Sequence, residues 1–203
     1  MSTTTIRTTP PEGFIMPDFG PRPGSGGGAA VATDAVPGAA AYAGPRKIAF
    51  ICSKGNLDMA YPGLILGNAA LGEGIEVHLF FTFWGFDMIN KKTQGNLQFS
   101  YLGNTAMHPP GMFGVHIPQG MAGLPGVTAA TTKMMKKQIA DLDVPEVPEF
   151  LEMIHASGGH LWACRMSADM MKLHEEDLID EVEGIISASD FMELTDGAQL
   201  LFI

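Results

Sequence analysis

The chain has 203 residues, of which 12 are basic and 22 acidic, and its formal net charge is -10 at pH 7. An acidic chain lacks the positive surface that nucleic acid and anionic lipid head groups require, so we expect no nucleic acid partner. Two cysteines are too few for a disulfide framework, and the amino-terminal residues lack the apolar core of a secretory signal. We therefore expect a cytoplasmic protein.

The first segment is predicted to be a tail. Residues 1–45 are rich in Thr, Pro, Gly and Ala and show no apolar periodicity. A segment of this composition cannot bury enough apolar surface to fold. We predict a flexible tail over residues 1–45 and one α/β domain over residues 46–203.

The domain begins with a predicted strand-helix-strand unit. The run KIAFIC at residues 47–52 is short and apolar, as is typical of a strand in a parallel sheet. Apolar side chains at helical spacing then predict a helix over residues 57–72, and IEVHLFF predicts a strand over residues 75–81. We expect a right-handed crossover between the two strands.

Three further strands are predicted in the second half of the chain. They are GHLWAC at residues 159–164, VEGIIS at residues 182–187 and AQLLFI at residues 198–203. A helix over PEVPEFLEMIHASG precedes the first of them, and a short helix over SDFMELTDG separates the last two. Five strands that alternate with helices predict a doubly wound, mainly parallel five-stranded sheet. In the common flavodoxin-like order 2-1-3-4-5, the first strand would lie beside the third.

A long insert is predicted at about residues 92–137. A connection of this length in a compact domain is typical of a lid or an interface. Its glycines and prolines would break a helix exposed to lipid, so membrane insertion is not expected. Its methionines indicate an adaptable apolar contact surface. Because such a surface needs to be buried and self-association would bury it, we predict a homo-oligomer. The methionines in question are Met107, Met112, Met121, Met134 and Met135.

Cys164 closes the third predicted strand, within HLWACRMSADMMKL. Arg165 follows it, and Ser167 is a suitable N-cap for a helix over ADMMKL. A helix amino terminus and a guanidinium both favour a thiolate over a thiol, which predicts a reactive cysteine. The alternative is a small buried side chain, because free cysteine is among the residue types most often buried.

Cys52 ends the first predicted strand. If that strand lies beside the third, its thiol and that of Cys164 come within disulfide range, and Cys52 is a candidate resolving thiol. The alternative is a core cysteine beneath the following loop.

That loop consists of Ser53, Lys54, Gly55 and Asn56. It would offer backbone N–H groups to an anion such as thiosulfate at a helix amino terminus, or it is a plain strand-to-helix turn. Trp84, after the second strand, either forms a wall of the same pocket or packs in the core.

The sequence predicts no metal and no cofactor. His160, Trp162 and Cys164 share one strand face, and His155 and His174 flank that strand. However, the chain lacks the C-x-x-C and H-x-x-x-H spacings that are typical of zinc sites. We interpret His160 as a hydrogen-bonded core histidine.

Three segments together resemble the DsrE/DsrF-like sulfur-relay proteins, in the branch also described as peroxiredoxin-like or DsrE-like. The resemblance covers residues 47–203 and implies a DsrE-like α/β fold. Its most specific elements are FFTFWG at residues 80–85 and ACxMSxDxM at residues 163–170. The segments are KIAFICSKGNLDMAYPGLILGNAALGEGIEVHLFFTFWGFDMI, WACRMSADMMKL and EVEGIISASDFMEL.

The resemblance implies a sulfur carrier in which Cys164 accepts a sulfane sulfur, as a persulfide or thiosulfonate, and passes it to another thiol. It also implies an oligomer of small α/β subunits, and a partner such as a small carrier protein of the TusA type or a sulfurtransferase. We predict that Arg165 and the following helix terminus stabilise the thiolate, and that the insert controls access of the partner. The alternative is a non-catalytic assembly subunit with a structural cysteine.

Overall fold

The computed structural model describes residues 46–99, 102, 108, 114 and 116–203. The predicted tail over residues 1–45 lies outside the described residues, as do Met107 and Met112 of the insert.

Five parallel strands form a single sheet. The apolar runs of the sequence predicted all five strands to within one residue at each end. The strands are β1 (Lys47–Cys52), β2 (Glu76–Phe81), β3 (His160–Cys164), β4 (Val182–Ile186) and β5 (Gln199–Phe202).

Five α-helices connect or flank these strands within the described residues. The second helix lies at the end of the insert and was not predicted. Among the described residues, no helix has both the length and the apolar character needed to cross a bilayer. The helices are α1 (Leu57–Gly72), α2 (Val127–Ala140), α3 (Val147–Ala156), α4 (Arg165–Met171) and α5 (Ala188–Leu194).

The order of the strands differs from the flavodoxin-like one. Across the sheet the strands run β4-β3-β2-β1-β5. β1 pairs with β2 on one side and with β5 on the other. The prediction that the first and third strands are neighbours is wrong, because β5 returns to the position beside β1 that β3 was expected to take.

The helices cover both faces of the sheet, which confirms the doubly wound architecture. Helix α1 packs closely at Gly67, where an added Cβ would lie 3.6 Å from Val77 and 3.8 Å from Phe50. Phe191 of α5 stacks on Phe80, with ring centroids 4.2 Å apart. Val77 and Phe80 are three residues apart in β2 and therefore point to opposite faces. We call the two sides the α1 face and the α5 face.

The α5 face is the more open of the two. Phe202 of β5 is 74% exposed and lies in one row across the sheet with Ile51 and Phe80. Leu200 is also exposed, and it points to the same face as Phe202 because side chains alternate along a strand. Four exposed apolar side chains on β5 and α5 are together called the β5 surface, namely Met192, Leu194, Leu200 and Phe202.

Candidate functional site

Cys164 is the last residue of β3 and the N-cap of α4. The helix begins at Arg165, so the prediction that Ser167 is the N-cap is wrong, and Ser167 instead lies in the first turn of α4. The first N–H groups of a helix have no partner within the helix, and the helix dipole is positive at this end. Cys164 therefore lies at the positive end of the α4 dipole, and its side chain makes no capping hydrogen bond to this helix.

Cys52 lies at the corresponding end of β1 but on the other face of the sheet. Its Sγ is 3.7 Å from the position that a Cβ would take at Gly63 of α1. Cys52, Phe81 and Ala163 form one row across the sheet, so Cys164 points to the opposite face. β2 lies between β1 and β3, which separates the two strands by about 10 Å. The expectation that the two thiols come within disulfide range is therefore wrong.

The environment of Cys52 is that of a core cysteine. The side chain is 4% exposed, and burial raises the pKa of the Cys52 thiol to about 12. A thiol with this pKa is almost entirely protonated at neutral pH and is a poor nucleophile. Of the two interpretations drawn from the sequence, the structure favours a core residue.

Arg165 joins α4 to the neighbouring strand. Its Nη2 donates a hydrogen bond to the carbonyl oxygen of Ile185 in β4, at 2.8 Å. The pKa of Asp190, in the first turn of α5, lies below its ordinary value because of hydrogen bonds from Ser187, with a smaller contribution from the charge of Arg165. The exposed guanidinium therefore lies between β4 and the start of α5.

Ser167 connects α4 to the turn that follows β2. It is fully buried, with 0% exposure, and its Oγ accepts a hydrogen bond from the N–H of Phe83 at 2.8 Å. Phe83 has a φ of 44°, in the left-handed region that bulky side chains rarely adopt. The next residue, Trp84, is 66% exposed, so the interpretation of Trp84 as a core residue is wrong.

Ser53 in the loop after β1 and Leu57 at the start of α1 both donate hydrogen bonds to neighbouring carbonyl groups. The backbone N–H and the hydroxyl of Ser53 both lie within hydrogen-bond distance of the Ile203 carbonyl, at 2.9 and 3.0 Å. Asn56 is the N-cap of α1, and the N–H of Leu57 donates to the carbonyl of Gln98 at 2.9 Å. These bonds occupy the donors of Ser53 and Leu57, which favours a plain strand-to-helix turn at these two residues.

The same loop packs against the turn after β2. A Cβ added at Gly55 would lie 2.4 Å from the carbonyl oxygen of Trp84 and 2.8 Å from the Cβ of Asp87. Contacts this short leave no room for a side chain, so glycine is needed for this close approach. Lys54 is exposed at the tip of the loop.

A second polar cluster lies on the α5 face. The Nε1–H of Trp162 donates to Nδ1 of His78 at 3.2 Å, so the ring proton of His78 lies on Nε2, which is 2.8 Å from Oε1 of Glu76. His160 stacks on His78, with ring centroids 4.8 Å apart, and its Nδ1 lies 2.7 Å from Oε1 of Glu183. His160 is thus hydrogen-bonded as predicted, although it is half-buried rather than in the core.

Burial and hydrogen bonds act in opposite directions on the pKa values of His78 and Glu76. It lowers the pKa of His78, and the hydrogen bond to Glu76 opposes this effect only in part. For Glu76, burial acts to raise the pKa, but hydrogen bonds from His78 and Lys47 outweigh it and leave the pKa below its ordinary value. No group of three potential metal ligands occurs in the part of the chain that the structure describes.

Sequence reasoning missed two features of this region. The left-handed conformation of Phe83 leaves no trace in the sequence, because glycine or asparagine would be expected at such a position. The second feature is the pair of hydrogen bonds that His78 makes with Glu76 and Trp162. A signal for it exists in the sequence, because His78 is the one polar residue of the run VHLFF and buried polar side chains need partners.

Comparison with known proteins gives matches that cover most of the chain. The model of the DsrE/DsrF/DrsH-like family matches residues 45–202. The sulfur carrier protein DsrE2 of Allochromatium vinosum is 35% identical over 146 residues, which cover 72% of this chain and 91% of that protein. The uncharacterized protein YrkE of Bacillus subtilis is 28% identical over 162 residues, which cover 78% of this chain and 97% of that protein. Among solved structures, YchN of E. coli has a TM-score of 0.44 at 12% identity, and the match covers 78% of this chain and 99% of YchN.

Proposed function

The chain belongs to the DsrE/DsrF/DrsH-like family, as its sequence predicted, and we propose that it is a sulfur carrier whose reactive group is the thiol of Cys164. The observation that carries the proposal is the position of this thiol at the carboxyl end of β3, directly before α4. Ligands of open α/β sheets bind at the carboxyl ends of the strands. The relative described as a sulfur carrier protein, DsrE2, supports the same function.

In the first step, the Cys164 thiolate attacks the outer sulfur of a sulfane donor such as thiosulfate. A sulfur–sulfur bond forms on Cys164, the bond within thiosulfate breaks, and sulfite leaves with the electron pair. In the second step, a thiolate of an acceptor protein attacks the outer sulfur of the Cys164 persulfide. Cys164 leaves as a thiolate, so the cycle needs no external oxidant or reductant.

The residues around Cys164 have distinct parts in this proposal. The N–H groups in the first turn of α4 stabilise the negative charge on the thiolate and on the persulfide. The guanidinium of Arg165 adds a positive field from a fixed position, since it is held by the carbonyl of Ile185. Cys52 takes no part, because it lies on the other face of the sheet as a protonated core thiol.

The acceptor is proposed to be a small carrier protein of the TusA type or a sulfurtransferase in the cytoplasm, where thiols stay reduced. Exposed methionines of the insert, Met121 before α2 and Met134 within it, support a role of the insert in contacting this partner. Methionine side chains adapt their shape to a binding surface.

Self-association is proposed to bury the β5 surface. Phe202 and Leu200 are large apolar side chains that point to solvent on the more open face of the sheet. Apolar patches of this kind commonly mark interfaces. Light scattering should give an oligomeric mass for the native chain and a lower mass for Phe202→Asp, whereas a monomeric native chain would refute this proposal.

The central test is mass spectrometry after incubation with thiosulfate, polysulfide or tetrathionate. A persulfide adds ~32 Da and a bound thiosulfate group adds ~112 Da, and we expect either adduct on the peptide that contains Cys164. Cys164→Ala should abolish the adduct, and Cys52→Ala should preserve it. The second candidate function, an assembly subunit with a structural cysteine, has the 6% exposure of Cys164 in its favour. Folded protein without any adduct would support that second function.

A further inference from the structure

We propose that Ser167 is a positioning residue that controls access to the thiol of Cys164, an inference that rests on the proposed function. Its hydroxyl holds the turn Phe83–Met88 against α4, and this contact keeps the thiol covered. Release of the contact lets a sulfur donor reach Cys164.

The register of the sheet puts this turn beside the cysteine. Phe81 pairs with Ala163, so Thr82 lies alongside Cys164, and Phe83 lies alongside the start of α4. A single hydrogen bond, from the N–H of Phe83 to Oγ of Ser167, joins the turn to α4 in the described part of the chain.

The two sides of the turn are held with different strength. On the β1 side, a Cβ added at Gly85 would lie 2.1 Å from the carbonyl oxygen of Cys52, which shows close backbone packing. The N–H of Thr82 also donates to that carbonyl oxygen at 2.9 Å. On the α4 side, the bond to Ser167 retains Phe83 in a conformation that phenylalanine disfavours. The α4 side is therefore the one that opens first.

The turn must open before the thiol of Cys164 can react, because Cys164 is only 6% exposed. A reagent that reacts with the open state reports the equilibrium constant for opening. The net free energy of a typical intramolecular hydrogen bond changes an equilibrium constant by a factor of about 2 to 10. Loss of the Ser167 hydroxyl should therefore speed the reaction at Cys164 by about 2- to 10-fold.

The experiment measures the alkylation rate of Cys164 in the folded full chain, with peptides resolved by mass spectrometry. Iodoacetamide serves as the small probe and fluorescein maleimide as the large one. Ser167→Ala should raise both rates by about 2- to 10-fold, and the large probe should gain more. Ser167→Thr keeps the hydroxyl and should stay near the native rates. Unchanged rates in Ser167→Ala, or equal acceleration in both variants, would overturn the proposal.

A second pair of variants keeps the test decisive if Ser167→Ala loses stability through poorer packing. Phe83→Gly and Phe83→Ala both remove the ring, but only glycine adopts a φ of 44° without strain. The Phe83→Gly chain should therefore be alkylated more slowly than the Phe83→Ala chain, because glycine holds the closed turn without strain. Adding Ser167→Ala should accelerate alkylation of the Phe83→Gly chain by about 2- to 10-fold, because the N–H of residue 83 still donates to Oγ of Ser167 there. No acceleration in that chain would mean that the hydroxyl does not hold the turn, and the proposal would fail.

The alkylation probes contain no transferable sulfur, so this test is separate from that of the proposed function. Faster alkylation in Ser167→Ala, combined with no sulfur adduct in the native chain, would refute sulfur transfer and leave the control of thiol access standing. A sulfur adduct on Cys164 with alkylation insensitive to Ser167 would refute only the positioning role.

Discussion

Cys52 and Cys164 end β1 and β3 of the same sheet and are buried to a similar degree, yet their surroundings differ. Cys52 lies beneath α1, with Gly63 close to its sulfur, and burial raises the pKa of its thiol to about 12. Cys164 is the residue at which α4 begins, beside a turn strained at Phe83. Similar burial therefore does not give the two cysteines the same environment, because the structure that follows each strand differs.

The largest expected effect is the difference in labelling between the two thiols. At pH 8, a thiol with a pKa of about 12 is ionised in only about one molecule in 10,000. We expect iodoacetamide to label Cys164 of the folded chain at least about 100-fold faster than Cys52. Peptide-resolved mass spectrometry measures both rates, and labelling in urea provides the control, since the two rates should then converge. Similar labelling rates of Cys52 and Cys164 in the folded chain would refute the predicted difference between the two thiols.

The next largest effect should follow removal of the main contact on the α5 face. Phe191 is 1% exposed and stacks on Phe80, so Phe191→Ala should reduce the free energy of unfolding by about 3 to 4 kcal/mol. Labelling of Cys164 should accelerate as α5 loosens, while Cys52, on the other face, should be affected less. Glu193→Ala is the matched control on the same helix, because Glu193 is exposed and lies outside the β5 surface. Urea denaturation and labelling together measure the outcome, and equal acceleration at both thiols would contradict the assignment of faces.

A smaller effect is expected at the end of β1. Gly85→Ala places a Cβ against the Cys52 carbonyl oxygen and should cost about 2 kcal/mol of unfolding free energy, because backbone must move to accommodate it. Gly95→Ala is the control, since a Cβ at Gly95 meets nothing within 4 Å. Urea denaturation compares the two variants. Equal stability would show that the turn after β2 is not closely packed against β1.

The smallest effect concerns pH, and it extends the comparison to the α5 face on which Cys164 lies. The pKa of His78 is lowered by burial, so below pH 6.5 the unfolded chain binds a proton that the folded chain does not. The stability that neutral His78 contributes is therefore complete above pH 6.5 and is lost as the pH falls through the folded-state pKa. The protonated ring also cannot accept the hydrogen bond from Trp162, a contribution of about 1 kcal/mol.

Urea denaturation at pH 7.5 and 5.5 tests this prediction. His78→Gln should flatten the dependence on pH, whereas the same change at the exposed His155 should preserve it. A pH dependence that survives in His78→Gln would assign it to other groups.

The five strands and the alternation of their faces could be predicted because runs such as KIAFIC and VHLFF are short, apolar and bounded by polar residues. The order of the strands in the sheet could not be predicted. Strands of a parallel sheet are buried on both faces, so their apolar runs look alike whichever neighbour they have. Nothing in AQLLFI indicates that β5 pairs with β1, and this pairing is what separates Cys52 from Cys164.

The place of Cys164 between β3 and α4 could be predicted, but its surroundings could not. Cys164 could be identified because it follows an apolar strand and precedes a helical pattern. Ser167 was assigned as an N-cap because serine is common there. In the structure its hydroxyl meets the N–H of Phe83, a residue 84 positions earlier, and sequence patterns do not report such a distant contact.

The pairing of β1 with β5 has a consequence for the nascent chain. Of the five strands that the structure describes, β1 leaves the ribosome first and β5 last, while β2 follows β1 closely. During synthesis, one edge of β1 therefore remains without its partner until Gln199–Phe202 emerge. An open strand edge is a template for pairing with another chain, so ribosomes that stall before this point present an aggregation-prone intermediate. Completion of β5 covers this edge of β1 and leaves the short strand β5 as the edge of the sheet.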